Sequence, residues 1–176
     1  MFSLGFSYRE KGDHAQAASL LRSSIQLLTE FHYGRLAAWL TGWLSEAQLW
    51  SGDPATAAET ARRALGLSEQ VGYPWAIAVA QRALGRVALA TGDLVAARGR
   101  LDDACSAFGR MGCRFDLAVT HMDLARLGHA SGEGSATRVE LDAARVLLSE
   151  LDTPVYRARV EELAAELGVG RGRSSA

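Results

Sequence analysis

Histidine and cysteine are the residues of this 176-residue chain that could ligate a metal ion or act as a nucleophile. His121 and His129 stand eight positions apart on one predicted helix, whereas two histidines that share a metal on a helix stand four apart. Cys105 and Cys113 are also eight apart, without a Cys-x-x-Cys pattern. We therefore expect no metal site and two reduced cysteines that serve only in packing.

Sequence patterns of known catalytic sites are also missing. The chain has no Gly-x-x-x-x-Gly-Lys-Ser/Thr loop, no Gly-x-Ser-x-Gly turn and no His-Glu-x-x-His helix. The stretch "GVGRGR" at 168–173 is rich in glycine, but it follows a predicted helix and lacks the spacing of a dinucleotide-binding loop. The sequence therefore predicts a protein that is not an enzyme, with no catalytic residues and no cofactor.

Tryptophan supplies the pattern that most suggests binding. Trp39, Trp43 and Trp50 share one stripe of a predicted helix, beside a second stripe of leucines. One interpretation is that these rings pack against a neighbouring helical hairpin. The other is that they form an aromatic wall for a peptide or a partner helix, because tryptophan is frequent at binding hot spots.

Charge and hydropathy exclude several classes of partner. The net charge of −1 gives no electrostatic footprint for nucleic acid or for an anionic membrane. No apolar run approaches the roughly 18 residues that a membrane-spanning helix needs. Arg9, Glu10 and Lys11 interrupt the start of the chain before the apolar core of a signal peptide could form. We therefore expect a cytoplasmic protein that binds neither nucleic acid nor a membrane.

The helices that would position these residues are predicted by a repeat of forty residues. Four glycines lie forty apart and each precedes an acidic residue: Gly12-Asp13, Gly52-Asp53, Gly92-Asp93 and Gly132-Glu133. Eight residues before each glycine stands a leucine followed by a small residue: Leu4-Gly5, Leu44-Ser45, Leu84-Gly85 and Leu124-Ala125. Five residues after each glycine comes a small side chain: Ala17, Ala57, Ala97 and, as a departure, Thr137. Such a period indicates a repeat architecture.

Each repeated position has a physical role in a helical hairpin. Glycine ends a helix in the left-handed conformation, and the acidic residue after it caps the next helix. The small residues let two antiparallel helices approach closely. Breaks at 32–35, 72–75, 112–115 and 152–155 separate the hairpins. We predict hairpins at about 2–31, 35–71, 75–111 and 115–150, a capping helix at 155–167, and a disordered tail at 168–176. The capping helix carries four apolar residues on one face: Val160, Leu163, Ala164 and Leu167.

The repeated pattern resembles the tetratricopeptide repeat (TPR). The matching residues are Leu4-Gly5, Tyr8, Gly12-Asp13 and Ala17, then Leu44-Ser45, Ala57 and Ala64, and then Leu84-Gly85, Ala97 and Ala104. The period is forty rather than the usual 34, and the proline that usually closes the second helix is missing. Longer repeats resemble the MalT-like variety, which forms C-terminal sensory arms of large signalling ATPases, including LuxR-type regulators and ATPase-linked nucleotide cyclases. HEAT repeats are also about forty residues long, but the Gly-Asp positions suit them less well.

We therefore predict an all-α, right-handed α-solenoid of four antiparallel helix hairpins plus a C-terminal capping helix. The TPR resemblance implies that the first helix of each hairpin lines a concave groove. The groove positions that it implies are Gly42 and Glu46, Arg82 and Arg86, and Met122 and Arg126. The three arginines would form a basic patch, flanked by Trp39 and Trp43, that receives an acidic partner segment. Alternatively, Glu46 and Asp123 would neutralise these arginines in ion pairs.

The predicted function is a non-catalytic scaffold that binds a protein or a peptide, as the C-terminal arm of a larger signalling or transcriptional regulator. The alternative is a receptor for a small anionic ligand in the groove. The first repeat has about eleven residues before Gly12, where the other first helices have about seventeen. We therefore expect the chain to be a fragment of a longer protein that self-associates through an apolar N-terminal end. The sequence does not predict the identity of the partner.

Overall fold

The computed structural model describes residues 13–169, which form eight α-helices and no β-strand. The helices are α1 (His14–Glu30), α2 (Gly34–Trp50), α3 (Pro54–Gln70), α4 (Pro74–Ala90), α5 (Leu94–Arg110), α6 (Arg114–Ala130), α7 (Gly134–Ser149) and α8 (Pro154–Glu166). Each helix begins twenty residues after the one before it. None of the helices in this range is long and apolar enough to cross a membrane.

Aspartate side chains cap three of these helices, as the sequence predicts. Asp13, Asp53 and Asp93 each accept the backbone N–H three residues further on, at 3.0–3.1 Å. Bonds from the hydroxyl and the backbone N–H of Thr56 hold the pKa of Asp53 below its usual value. Glu133 makes no side-chain capping bond, which corrects the prediction for α7. Its longer side chain is not among those that favour this position.

The turns inside the hairpins and those between them share one geometry. A residue with positive φ follows each helix from α1 to α6, and these residues lie twenty apart: His32, Gly52, Gly72, Gly92, Gly112 and Gly132. After α3, for example, the Gly72 N–H donates to the Glu69 carbonyl at 3.1 Å and the Tyr73 N–H to the Ser68 carbonyl at 3.0 Å. These bonds satisfy carbonyls that the helix end leaves unpaired.

The helices pack as two compact units, Met1–Ala107 and Phe108–Ala176, and the division falls within α5. In the first unit α2 packs against α1, α3 and α4. Gly85 of α4 lies so close to α5 that a Cβ atom there would be 2.7 Å from Leu101 Cγ. The Ser45 hydroxyl donates to the Ala57 carbonyl at 2.8 Å. The predicted close approach of antiparallel helices at the small residues is therefore confirmed at these two positions.

In the second unit α6, α7 and α8 enclose a core of aliphatic side chains. The predicted apolar face of the capping helix is the face that packs here: Val160, Leu163 and Ala164 are buried, and Leu167 is half-buried beside them. Arg145 of α7 holds α8 through two bonds to the Glu161 carboxylate, at 3.0 and 3.1 Å. Such a bidentate pair fixes geometry as well as adding energy.

The hairpins predicted at 35–71, 75–111 and 115–150 and the capping helix predicted at 155–167 correspond to helices that span 34–70, 74–110, 114–149 and 154–166, within one residue at each end. The part of the first predicted hairpin that precedes Asp13 lies outside the described residues, as does the predicted tail from residue 170 onward. Gly168 and Val169 are described and complete the hydrogen-bonded end of α8. The extent of a single solenoid over 1–167 stays a prediction.

Candidate binding surface on α2 and α4

The candidate surface lies on two neighbouring first helices, α2 and α4. Gly42 brings them together, because a Cβ atom at this position would lie 2.9 Å from Val79 Cγ1. Gly42 is buried in this contact and does not face a groove, which corrects the placement that the TPR resemblance implied. The close contact sets side chains of α2 and α4 directly against each other along their length.

Four aromatic side chains form a continuous row that runs from the middle of α2 to the start of α4. Trp43 contacts Trp39 with ring centroids 4.7 Å apart, and Trp39 contacts Trp75 at 5.2 Å, both edge to face. Tyr73 continues the row, 6.1 Å from Trp75. The guanidinium carbon of Arg35 lies 4.5 Å from the centre of the Tyr73 ring, which is a cation–π distance. We call Trp43, Trp39, Trp75 and Tyr73 the aromatic row.

The contacts of Trp39 and Trp43 show the packing that the first interpretation of the tryptophans predicts, and their binding role stays a prediction. Trp39 and Trp43 pack against the core that α1 and α2 share, and Trp39 also packs against Trp75 of the next hairpin. Each of the four residues of the row is nevertheless only half-buried. Trp50 does not belong to the row. Its ring lies 5.1 Å from that of His14 and 5.5 Å from the Arg86 guanidinium.

The predicted basic patch included two arginines of α4, and both belong to a buried ion-pair cluster. Arg82, Arg86 and Glu46 are only 3%, 9% and 1% exposed. Arg86 Nη1 lies 2.7 Å from Glu46 Oε1, and Arg82 Nε lies 3.5 Å from the same oxygen. Of the two interpretations in the sequence, ion pairing with Glu46 is therefore the one that the structure shows. Charges this deeply buried require such partners.

The remaining predicted site residues lie in the second unit. Met122 is buried in its aliphatic core. Arg126 has a side chain that is 44% exposed and lies 3.4 Å from Asp123, the ion pair that the sequence allowed. His121 contacts Glu140 of α7, with 2.6 Å between Nδ1 and Oε2. Sequence reasoning missed this pair, because the two residues are nineteen positions apart and on different helices. Between residues 13 and 169 no group of three His, Cys, Asp or Glu side chains could hold a metal ion.

Solved structures with a similar backbone identify the fold. BtubC (BKLC) from P. vanneervenii has a TM-score of 0.67 at 18% identity, and the match covers 94% of this chain and 72% of that one. A kinesin light chain-like protein from Podosopora anserina, with nearly identical TPR-like repeats, has a TM-score of 0.63 at 15% identity, covering 94% and 82%. A variant of that protein has a TM-score of 0.64. This chain has the fold of TPR-like repeat proteins.

The all-α solenoid class predicted from the sequence is thus confirmed. Identities of 15–18% establish the fold alone. No protein-family model matches the sequence, and no curated protein sequence matches it either. None of the three similar structures is a MalT-like arm, so the finer resemblance stays a proposal.

Proposed function

We propose that this helical-repeat scaffold binds a protein or peptide partner through the aromatic row, without catalysing a reaction. The observation that carries the proposal is the continuous row of four half-buried aromatic residues across two adjacent hairpins. Tryptophan, tyrosine and arginine dominate the energetic centres of protein interfaces, because their large side chains combine extensive contact area with hydrogen-bond donors. The row and the arginine stacked on it supply all three residue types within one surface.

The chemistry of the row indicates the kind of segment it suits. The rings of Trp39, Trp43 and Trp75 offer apolar edges and faces to aliphatic or aromatic side chains. Arg35 is exposed and stacks on Tyr73, where its remaining N–H groups suit a carboxylate or a backbone carbonyl. We therefore propose an apolar partner segment that places a carboxylate or carbonyl beside Arg35.

The alternative of a small anionic ligand held by Arg82 and Arg86 gains no support from the geometry. The Glu46 carboxylate already occupies the position between these guanidinium groups that such a ligand would take. The predicted role of Arg126 in binding a partner stays open to test, since its side chain is accessible.

We also propose, from the forty-residue period alone, that the chain serves as the C-terminal arm of a signalling or transcriptional regulator in the cytoplasm. The ground for this proposal is the resemblance to MalT-like repeats. Sequencing the gene upstream of the codon for Met1 tests it. An ATPase or cyclase domain in the same reading frame supports the regulatory role, whereas an unrelated domain contradicts it.

The binding role of the aromatic row is tested with peptides selected from a random display library on the immobilised chain. We expect Tyr73→Ala to raise the Kd of the selected peptides at least about tenfold, the effect of losing one well-packed hot-spot side chain. Isothermal titration calorimetry measures the Kd.

Tyr156→Ala is the matched control, because Tyr156 also contacts an aromatic ring, Phe115, and an arginine, Arg159. It lies in α8, in the other unit. Selected peptides that bind the Tyr73→Ala and Tyr156→Ala variants equally well would show that the aromatic row is not the binding surface.

A further inference from the structure

A second surface of the first unit has the form of a groove, away from the aromatic row. It is a cavity of about 460 Å³ between α3 and α5, with α4 as its floor. Its lining includes Arg62 of α3, Leu84 and Ala88 of α4, Asp93, and Ala96 and Arg100 of α5. We call this cavity the α3–α5 groove. Its volume lies within the range of ligand sites, and its many alanines allow close approach of another backbone.

The groove has opposite charges at its two ends. Asp93 lies in the turn between α4 and α5, level with Pro54 at the start of α3. Arg62 and Arg100 lie about two helical turns further along α3 and α5, roughly 12 Å away. Arg100 donates to Gln81 at 2.8 Å, and Arg62 makes no hydrogen bond or ion pair with the described residues. Both arginines are exposed.

The corresponding positions one repeat earlier carry different side chains. Forty residues before Ala88, Ala96 and Arg100 stand Gln48, Thr56 and Thr60. Gln48 is buried at its position in α2. The α3–α5 groove is therefore opened by the alanines at 88 and 96, and the arginine at 100 gives it a second positive charge.

We propose that the α3–α5 groove binds a helical segment of a partner protein, about two turns long, with small apolar residues on one face and carboxylates at the end beside Arg62 and Arg100. Two parallel helices with alanines on their facing sides, over an apolar floor of Leu84, Val87 and Ala88, form a groove of the kind into which an amphipathic helix packs. The charges fix the orientation of the segment, because its carboxylates meet the two guanidinium groups and a cation at its other end meets Asp93. The polar stretch at 170–176 of this chain carries Arg171 and Arg173 and no acidic residue, so its charge does not suit the arginine end.

The test uses a fluorescein-labelled helical peptide of about three turns, with alanine and leucine on one face and glutamates in its last turn. A second peptide carries lysines in place of the glutamates. Fluorescence anisotropy gives the Kd of each peptide. We expect the glutamate peptide to bind at least about tenfold more tightly than the lysine peptide, because the lysines meet like charge. Methyl resonances of Ala88 and Ala96 should shift during the titration, while those of Ala118 and Ala125 in the second unit should not.

Charge reversal locates the binding. The double variant Arg62→Glu/Arg100→Glu should weaken binding of the glutamate peptide at least about tenfold. Arg22→Glu is the matched control, since Arg22 occupies the position of Arg62 one repeat earlier and is also exposed. We expect the Arg22→Glu variant to bind the glutamate peptide with the same Kd as the unaltered chain. Circular dichroism confirms that each variant retains its helices.

The variant Ala88→Gln tests the binding site by reducing the volume of the groove and leaves its charges unchanged. It copies the residue that α2 accommodates at the same repeat position, so the fold should tolerate it while the side chain fills the cavity. We expect Ala88→Gln to raise the Kd of the glutamate peptide at least about tenfold, as the charge reversal does.

Four results would overturn the proposal: no saturable binding of the glutamate peptide, equal binding of the lysine peptide, an equal loss with Arg22→Glu, or unchanged binding to Ala88→Gln. Analytical ultracentrifugation of the chain could give a fifth result that overturns the proposal. Self-association that disappears in the Arg62→Glu/Arg100→Glu variant would place a second copy of this chain in the groove.

The binding role of the α3–α5 groove and the binding role of the aromatic row can be disproved independently. Tyr73→Ala should leave the Kd of the glutamate peptide unchanged, and the charge-reversal variant should leave display-selected peptides bound. A display-selected peptide that is sensitive to Arg62→Glu/Arg100→Glu but not to Tyr73→Ala would remove the aromatic row as the binding surface and support the groove.

Discussion

His32 occupies a turn position that glycine holds in the following turns from Gly52 to Gly132. Its φ is 60°, in the left-handed region that side chains with a Cβ atom adopt at a cost. Histidine is one of the residues that enter this region more often than most, which explains why the turn still forms. The sequence pattern "HYGR" nevertheless does not show which of its residues takes the positive φ.

A prediction for a single residue follows from the backbone strain at His32. We expect His32→Gly to raise the free energy of unfolding by roughly 0.5–1 kcal/mol, since relief of the left-handed strain exceeds the added entropy of the unfolded chain. Urea denaturation followed by circular dichroism measures the change. Gly72→Ala is the matched control at the same position one repeat later, where φ is 59° and no atom lies within 4 Å of the added Cβ. It should destabilise by about 1 kcal/mol; a stabilising Gly72→Ala would contradict the strain argument.

The burial of the Glu46 ion pairs could not be predicted from the residues alone. The spacing of Glu46 from Arg82 and Arg86 follows from the repeat, and the sequence allowed an ion pair among them. Whether that pair is solvated or buried depends on how far α4 is rotated and translated against α2. That geometry is set by the contact of Gly42 with Val79, which no single repeat encodes by itself.

At the scale of helices the sequence was more informative. All observed bounds agree with the predicted ones to within one residue, because glycine, proline and capping aspartate mark nearly every helix end. The groove between α3 and α5 was not predicted. Its lining comes from three helices, so the sequence pattern of any one helix does not reveal it.

Two helical glycines provide the prediction at this scale. Gly66 of α3 has no atom within 4 Å of the position that a Cβ would take, so Gly66→Ala should stabilise by about 0.5–1 kcal/mol through helix propensity. Gly85 of α4 faces Leu101, whose Cγ would be 2.7 Å from the new Cβ and whose side chain is fully buried. Gly85→Ala should therefore destabilise by roughly 1–3 kcal/mol in spite of its better propensity. Thermal unfolding distinguishes the two; equal effects of the same sign would show that α4 and α5 do not meet closely at Gly85.

For the molecule as a whole, the distribution of aromatic residues allows the two units to be observed separately. The four tryptophans, Trp39, Trp43, Trp50 and Trp75, all lie in Met1–Ala107, so tryptophan fluorescence reports on that unit. Circular dichroism reports on the helices of both. In a helical-repeat protein stability derives mainly from contacts between neighbouring hairpins, so damage in one hairpin need not unfold the entire chain at once.

Leu148 supplies the test, because it is fully buried in the core of Phe108–Ala176. Leu148→Ala should destabilise that unit by about 2–5 kcal/mol through the cavity it leaves. Helicity should then be lost at lower urea concentration than the tryptophan signal, so that the two curves no longer coincide. Val146→Ala on the same helix is the control, because Val146 is exposed and its loss should shift neither curve appreciably. If the curves of Leu148→Ala remain superimposed, the chain unfolds as one cooperative body, and partner binding at the aromatic row would then stabilise residues 108–169 as strongly as the hairpins that carry the row.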